Sequence, residues 1–200
     1  MVIGFAMAAA LAAGSSPLPT PSVFVSEQYG LTFRTPPSSS YCALPAVWVG
    51  SDHGTVIFLT PPKRCSGAGY PSSGRGFDGD VPRIEVFYAY DIGDDDADEK
   101  AAPCHEVGRP VFLGKLRRLC RSSSRRKVEV SVTAKYQADI AAQTSLTLVT
   151  SSARLKDDLR RFEALLKSAR TCTATWHDDK GGPSVTTGSG APCPAGARWF

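Results

Sequence analysis

The chain lacks asparagine entirely, has few histidines and methionines, and contains no apolar run long enough to cross a membrane. Without asparagine there is no Asn-x-Ser/Thr site for N-glycosylation. The most apolar stretch, residues 1–13, is shorter than the roughly 20 residues that a membrane-spanning helix needs. Also missing are the Cys-x-x-Cys and His-x-x-x-His spacings of zinc sites and the Gly-x-Ser-x-Gly turn of many hydrolases. The sequence therefore predicts no transmembrane segment, no metal site and no cofactor.

The first 14 residues are predicted to be a secretory signal peptide. They read MVIGFAMAAALAAG and are followed by two serines and the helix breaker Pro17. A basic start is missing, because the first Lys or Arg is Arg34. We expect cleavage near residues 12–14, and no lipid anchor, since no cysteine lies close to that point. The mature protein is therefore expected in the periplasm or outside the cell.

Composition divides the rest of the chain into three parts. Residues 15–22, SSPLPTPS, are predicted to form a mobile Pro/Ser linker. Residues 23–177 are expected to form a single domain, because they are long enough to bury a core. Residues 178–200 form a Gly/Pro-rich tail that is too poor in apolar residues to fold alone, so Cys193 is expected to tie it to the domain. The abundance of Ala, Gly, Pro and Arg indicates a bacterial source with a GC-rich genome.

The six cysteines are predicted to form disulfides. An even number of cysteines is typical of a protein exported to an oxidising compartment. The sequence leaves many pairings open, and pairing of chain neighbours is the simplest of them. That arrangement would join Cys42 with Cys65, Cys104 with Cys120, and Cys172 with Cys193.

Alternation of apolar and polar residues predicts a series of β-strands. It is clearest in RIEVFYAY, residues 83–90, and in VEVSVTAKY, residues 128–136. Further strands are predicted at 31–35, 46–49, 55–60, 111–116 and 145–150, with a turn or short helical connection at 138–144.

The period of the apolar residues changes after the last of these strands. Leu155, Leu159, Phe162, Leu166 and Ala169 recur at helical spacing, which predicts an amphipathic helix over 152–170. Acidic residues near its start and basic residues near its end match the helix dipole. The predicted fold class is therefore α+β, an antiparallel β-sheet with a C-terminal amphipathic helix packed on one face and tied by disulfides.

Two segments carry a resemblance to a known group of proteins. The opening YGLTFRTPP at 29–37, the run of strands, and the closing DLRRFEALLKS at 158–168 together resemble the Mog1/PsbP-like group, which includes bacterial envelope proteins of the DcrB type. The resemblance covers most of residues 29–170. It implies a binding or assembly role, and it carries over no catalytic residue, since the group is mostly non-enzymatic.

The segment GSDHGT, residues 50–55, places a hydroxyl, a carboxylate and an imidazole side by side. A Ser-His-Asp triad needs these groups to converge on one reacting atom, which adjacent residues rarely achieve. Glycine, serine and aspartate are also the residues that turns require. We therefore predict that 51–54 form a turn between the strands at 46–49 and 55–60.

Two further motifs are candidates for chemistry. Cys104, His105 and Glu106 suggest a cysteine nucleophile, but in an exported protein Cys104 is expected in a disulfide. The acidic run at 91–99 has the Asp-x-Asp-x-Asp spacing of an EF-hand, but Glu99 stands where that loop needs glycine and His105 where it needs glutamate. A solvated loop is therefore predicted there, with a calcium site of another type as the alternative.

A cluster of basic residues surrounds the segment RSSS at 121–124, which is predicted to be a hairpin tip. The bland interpretation is a solvated basic hairpin; the functional one is a surface for an anionic partner, either an acidic protein face or an anionic glycan such as lipopolysaccharide. Nucleic acid is not expected, because the formal net charge is only +4 and the segment has no aromatic residue to stack on bases. The cluster consists of Lys115, Arg117, Arg118, Arg121, Arg125, Arg126 and Lys127.

The sequence therefore predicts an exported bacterial, non-enzymatic binding or interaction protein, such as an envelope assembly factor, an inhibitor or an immunity-type partner. The alternative is a small secreted hydrolase. Its catalytic groups would come from Asp52, His53, His105, Glu106 and His177.

Overall fold

The computed structural model describes residues 16–26, 30–42, 52–65, 81–90, 104–124, 127–135, 142–176, 185–187 and 189–194. Most of the described chain forms antiparallel strands. The elements are β1 (Leu18–Pro19), β2 (Val23–Ser26), β3 (Leu31–Arg34), β4 (Ser40–Tyr41), β5 (Asp52–Phe58), β6 (Arg83–Tyr90), β7 (His105–Gly108), β8 (Val111–Phe112), β9 (Lys115–Leu116), β10 (Leu119–Ser123), β11 (Val128–Lys135), β12 (Ala142–Thr150), α1 (Leu155–Ser168), β13 (Arg170–Thr171), β14 (Ala174–Trp176) and β15 (Val185–Thr187).

The largest sheet has eight strands in the order β1-β4-β5-β6-β12-β11-β10-β7. Its neighbouring strands are antiparallel, and the core lies where apolar residues face one another across the strands. Ile57, Ile84, Leu148 and Val130 stand in one row across four strands, and all are at most 1% exposed. The alternation read in the sequence thus places one face of the sheet against the core.

Helix α1 covers that apolar face. Phe162, Leu165 and Leu166 are buried in the same core cluster as the row of sheet residues. The helix ends at Ser168, and Arg170 donates a hydrogen bond of 2.8 Å to the carbonyl oxygen of Lys167. Arg161 also fixes its position, because its guanidinium donates to the carbonyls of Leu59 at 3.1 Å and Pro37 at 2.9 Å. The predicted antiparallel sheet with a helix on one face is confirmed, although strands outweigh the helix.

The other face of the sheet carries a smaller core beside β5. Phe58, which is fully buried, packs there with Val56 and the cysteines of the first disulfide. This disulfide joins Cys42 to Cys65, with Cα atoms 5.5 Å apart. The bridge therefore holds the β4 end of the sheet against the segment that follows β5.

The three disulfides join neighbouring cysteines along the chain. Besides Cys42–Cys65, they are Cys104–Cys120 and Cys172–Cys193, with Cα separations of 5.0 and 4.7 Å. All six cysteines of the chain are consumed, so the simplest pairing that the sequence suggested is the one that the structure has.

Three secondary-structure predictions, for one strand, one turn and one connection, need correction. The single strand predicted at 111–116 is a hairpin of β8 and β9, because Leu113 and Gly114 have positive φ angles of 50° and 74° and reverse the chain. The turn predicted at 51–54 is wrong for 52–54, which belong to β5 and pair with β6. The connection predicted at 138–144 is wrong for 142–144, where β12 has already begun. Residues 46–49 and 51 lie outside the described residues.

The segments predicted to be irregular are partly ordered. Leu18 and Pro19 of the Pro/Ser segment form β1, which pairs with β4, and the backbone N–H of Thr20 donates to the carbonyl of Ser39. In the Gly/Pro-rich tail, β15 pairs with β14, and the backbone N–H of Cys193 donates to the carbonyl of Thr173 at 2.9 Å. Although both segments have few apolar residues to bury, backbone hydrogen bonds to neighbouring strands order the described parts of them.

Candidate functional site

The basic residues of the sequence cluster lie around the β7 end of the large sheet. Lys115 belongs to β9, Arg117 and Arg118 connect β9 to β10, Arg121 belongs to β10, and Lys127 directly precedes β11. Arg125 and Arg126 lie outside the described residues. Together with Arg109, which follows β7, we call the described members of this group the basic edge, Arg109, Lys115, Arg117, Arg118, Arg121 and Lys127.

The predicted hairpin is present, but its tip lies further along the chain. Arg121, Ser122 and Ser123 are part of β10 and pair with β11, with Arg121 opposite Val130. The hairpin closes where the backbone N–H of Ser124 donates to the carbonyl of Lys127 at 2.8 Å. Arg121 is half-buried because it stands beside the apolar face of the sheet, whereas Lys115 and Arg118 are exposed.

Glu106 is the centre of the polar contacts at the basic edge. Its Oε1 accepts a hydrogen bond from Nε of Arg109 at 2.7 Å, and its Oε2 accepts one from Nε of Arg118 at 3.1 Å. A second bond of 3.3 Å from Nη2 of Arg109 makes that pair bidentate. The side chains of Arg109 and Arg118 remain 64% and 60% exposed, so guanidinium donors that Glu106 does not use face solvent.

These contacts set the charge of Glu106. The hydrogen bond from Arg109 lowers the pKa of its carboxyl below the ordinary 4.5, desolvation opposes this, and Arg118 adds to the lowering. The same contact raises the pKa of Arg109. Glu106 is therefore ionised at neutral pH and is a poor general acid, and both of its oxygens already accept hydrogen bonds from arginine.

Exposed aliphatic residues lie among these charges. Val107, Val111 and Leu116 are 38%, 43% and 70% exposed. Val107 is an extra residue in β7, since Cys120 pairs with Glu106 and Leu119 with Gly108. Such a β-bulge redirects the side chains of an edge strand. The basic edge thus combines positive charge with an apolar contact surface.

The sequence did not indicate that Glu106, Arg109 and the aliphatic residues belong to this surface. Glu106 and Arg118 are twelve residues apart and meet because β7 pairs with β10. The one usable signal was the pair Cys104 and Cys120, since their disulfide brings the two strands together.

The candidate catalytic residues that the structure describes lie on separate strands. Cys104 is in a disulfide and so is no nucleophile. Asp52 and His53 lie on β5, whereas His105 and Glu106 lie on β7, and four strands separate β5 from β7. Five inter-strand spacings of about 4.8 Å each place the two strands roughly 24 Å apart along the sheet. His177 lies outside the described residues.

The described part of the chain holds no group of three or more His, Cys, Asp or Glu side chains that could bind a metal ion. The acidic run at 91–99, with its calcium alternative, lies outside the described residues. Within the described ranges, no helix has the length and apolar character needed to cross a membrane.

Comparison with known proteins returned no match to any family model, curated protein or solved structure.

Proposed function

We propose that the protein is an exported bacterial interaction protein, without catalytic activity, that binds an anionic partner through the basic edge. The observation that carries this proposal is the concentration of charge. Residues 104–124 hold five basic side chains and one acidic side chain, so their formal net charge equals the +4 of the whole chain. A surface of one sign attracts partners of the opposite sign and speeds their association.

The rigidity of the basic edge supports a binding role. The Cys104–Cys120 disulfide ties β7 to β10, and fully buried Phe112 anchors the β8–β9 hairpin in the core. A surface that is already ordered loses less conformational entropy when a partner binds.

The disulfides support export. Three disulfides in a chain of this length are typical of proteins in an oxidising compartment, the periplasm or the extracellular space. An envelope assembly factor, an inhibitor or an immunity-type partner would all fit this location. The same class of role is implied by the resemblance to the Mog1/PsbP-like group.

Binding to immobilised anionic probes tests the proposal. Polyglutamate represents an acidic protein and dextran sulfate an anionic glycan. The wild type should bind at least one of them at low salt and lose affinity as salt rises. The variant with Lys115→Glu and Arg118→Gln should bind about tenfold more weakly, because it loses two of the exposed cations.

The matched control is the variant with Lys156→Glu and Arg160→Gln on α1. It makes the same change in net charge, and Arg160, like Arg118, is an exposed arginine paired with a carboxylate, that of Asp157. Equal loss of binding in both variants would show a nonspecific effect of net charge. Failure of the wild type to bind either probe, or binding that salt does not weaken, would refute the proposal.

A further inference from the structure

The exposed aliphatic residues of the basic edge narrow down the chemistry of the partner. Among the described residues, four large apolar side chains are exposed, and three of them, Val107, Val111 and Leu116, lie at this edge. The fourth, Leu18, lies on β1 at the opposite end of the same sheet. Single exposed apolar residues are ordinary, but a group of them ringed by charge indicates a contact surface.

The β8–β9 hairpin holds two of these residues in a fixed arrangement. Val111 and Leu116 are directly opposite each other, so both point to the same face of the hairpin. Phe112, the next residue of β8, points to the other face and is fully buried in the main core. The hairpin cannot turn Val111 and Leu116 inward without withdrawing Phe112. Val111 and Leu116 therefore stay at the surface as long as Phe112 is in the core.

Contact through side chains fits β7 better than addition of a partner strand. β7 has four residues, a bulge at Val107 and the charged side chain of Glu106. Short length, bulges and charges are the features by which edge strands resist pairing with another chain. We therefore place the contact on the faces of the hairpin and of β7 rather than on their backbone.

Resting on the proposed function, we propose that the partner is a protein whose contact surface has an apolar centre ringed by carboxylates. The apolar centre would cover Val111 and Leu116, and the carboxylates would pair with Arg109, Lys115 and Arg118. This matches the usual anatomy of protein interfaces, an apolar core with a polar rim in which arginine is enriched. An anionic glycan would use the cations and leave the aliphatic pair in water.

An anionic membrane is less well matched. Membrane binding scales with the apolar area inserted, and interfacial segments usually insert aromatic and large aliphatic residues. The hairpin offers one valine and one leucine to the solvent, and its aromatic residue, Phe112, is buried. The membrane is therefore an alternative outcome of the test.

Site-specific photocrosslinking of the full chain tests the proposal. A diazirine amino acid at position 116, or at 18 as the control, would be activated in envelope and medium fractions of the producing cell. The probe at 116 should give a protein adduct whose crosslinked segment, mapped by mass spectrometry, contains Asp or Glu next to apolar residues. The probe at 18 should give no such adduct. An adduct at 116 with lipid or glycan alone, or no adduct, would overturn the proposal.

Substitutions then distinguish the apolar contact proposed here from the binding of an anionic partner proposed above. Leu116→Thr with Val111→Thr should weaken binding of the crosslinked protein about tenfold, whereas Leu18→Thr should leave it unchanged. Threonine is also favoured in β-strands, so these variants should keep the fold. An unchanged melting temperature would verify this. If Lys115→Glu with Arg118→Gln weakens binding but the threonine variant does not, anionic binding stands and the apolar contact is refuted.

Vesicles of phosphatidylglycerol and phosphatidylethanolamine complete the test. The wild type should not float with them more than the threonine variant does. Flotation that requires Leu116 and Val111 would show that the surface binds a membrane, and would overturn the choice of a protein partner.

Discussion

Glu106 and Asp158 both form ion pairs with arginine, but they have different roles because Asp158 is buried and Glu106 lies at the surface. The side chain of Glu106 is 32% exposed and lies at the surface between two arginines. That of Asp158 is 1% exposed, accepts a hydrogen bond of 2.5 Å from the hydroxyl of Thr150 and pairs with Arg154 at 3.2 Å. Loss of a buried partner costs far more than loss of an exposed one, so Asp158 holds the fold and Glu106 orders a surface.

Replacement of Asp158 should destabilise the protein strongly. We expect Asp158→Ala to lower the free energy of unfolding by about 2–4 kcal/mol, because it leaves the buried hydroxyl of Thr150 without its acceptor. Asp157 is the matched control, since it is the preceding residue, is 74% exposed and pairs with Arg160 at the surface. Asp157→Ala should cost about 0–1 kcal/mol in urea unfolding. Similar costs for the two variants would contradict this assignment.

Glu106 should give stability that depends on pH. Its pKa is lower in the folded protein than in the unfolded chain, so the unfolded state binds more protons between the two values. The ion pairs therefore contribute fully above about pH 4.5, the ordinary pKa, and the contribution is lost as pH falls through the lower folded value. Melting temperatures of the wild type and of Glu106→Gln should differ at neutral pH and converge in strong acid. A constant difference would contradict the ion pairs.

At the scale of elements, the β8–β9 hairpin depends on its two-residue turn. Gly114 has a φ of 74°, where a side chain strains the backbone, and a Cβ there would meet no atom within 4 Å. Gly108, at the end of β7, is equally open but lacks the positive φ. Because an added Cβ would be free of contacts at both glycines, a comparison of the two isolates the effect of the positive φ angle at Gly114.

Alanine at the two glycines should have different effects. We expect Gly114→Ala to lower the free energy of unfolding by about 1 kcal/mol, the cost of a left-handed conformation for a residue with a Cβ. Gly108→Ala should change it by a few tenths of a kcal/mol at most. Because the turn positions Leu116, Gly114→Ala should also weaken binding to the partner protein that the crosslinking experiment identifies. A neutral Gly114→Ala would show that the turn tolerates side chains.

At the scale of the whole molecule, the disulfides hold together parts that share little core. Cys42–Cys65 is part of the smaller core beside β5. Cys104–Cys120 ties the outermost described strand, β7, to β10, and Cys172–Cys193 ties the tail to the segment that follows α1. The bridged residues are separated by 23, 16 and 21 positions. In the chain-entropy model, each such bridge contributes about 3 kcal/mol.

Reduction should therefore remove much of the stability of the protein. Three bridges together are comparable with the roughly 5–15 kcal/mol by which a typical domain is stable. We expect the reduced protein to melt tens of degrees below the oxidised one in a calorimetric scan. The double alanine variant of Cys172 and Cys193 should lose less than full reduction does, because it frees the tail alone. A reduced protein that melts within a few degrees of the oxidised one would contradict this expectation.

Much of the fold follows from periodic patterns in the sequence. The alternation at 83–90 and 128–136 predicted β6 and β11, and the helical spacing from Leu155 predicted α1. The predictions failed where short segments carried turn residues. Leu113 and Gly114 make a turn inside an apolar run, whereas Asp52–Gly54 have turn composition and lie in β5 because they pair with β6. Local propensity yields to pairing with a neighbouring strand.

The candidate site was predicted only in part. The run of basic residues is visible in the sequence, because charge is a property of each residue by itself. The contact of Glu106 with Arg109 and Arg118 depends on the pairing of β7 with β10. The exposure of Leu116 likewise depends on Phe112 entering the core from the other face of the hairpin. Strand pairing and burial, on which these two features depend, cannot be read from a short stretch of sequence.

The sequence by itself determined the strand and helix periodicity, the even set of cysteines and the positive sign of one segment, because each is a local property of the chain. The tertiary structure alone decided that β7 is the outermost described strand, that Glu106 orders two arginines and that Val111 and Leu116 remain in water. These features arise from strand order and register, which depend on contacts between residues far apart in the chain.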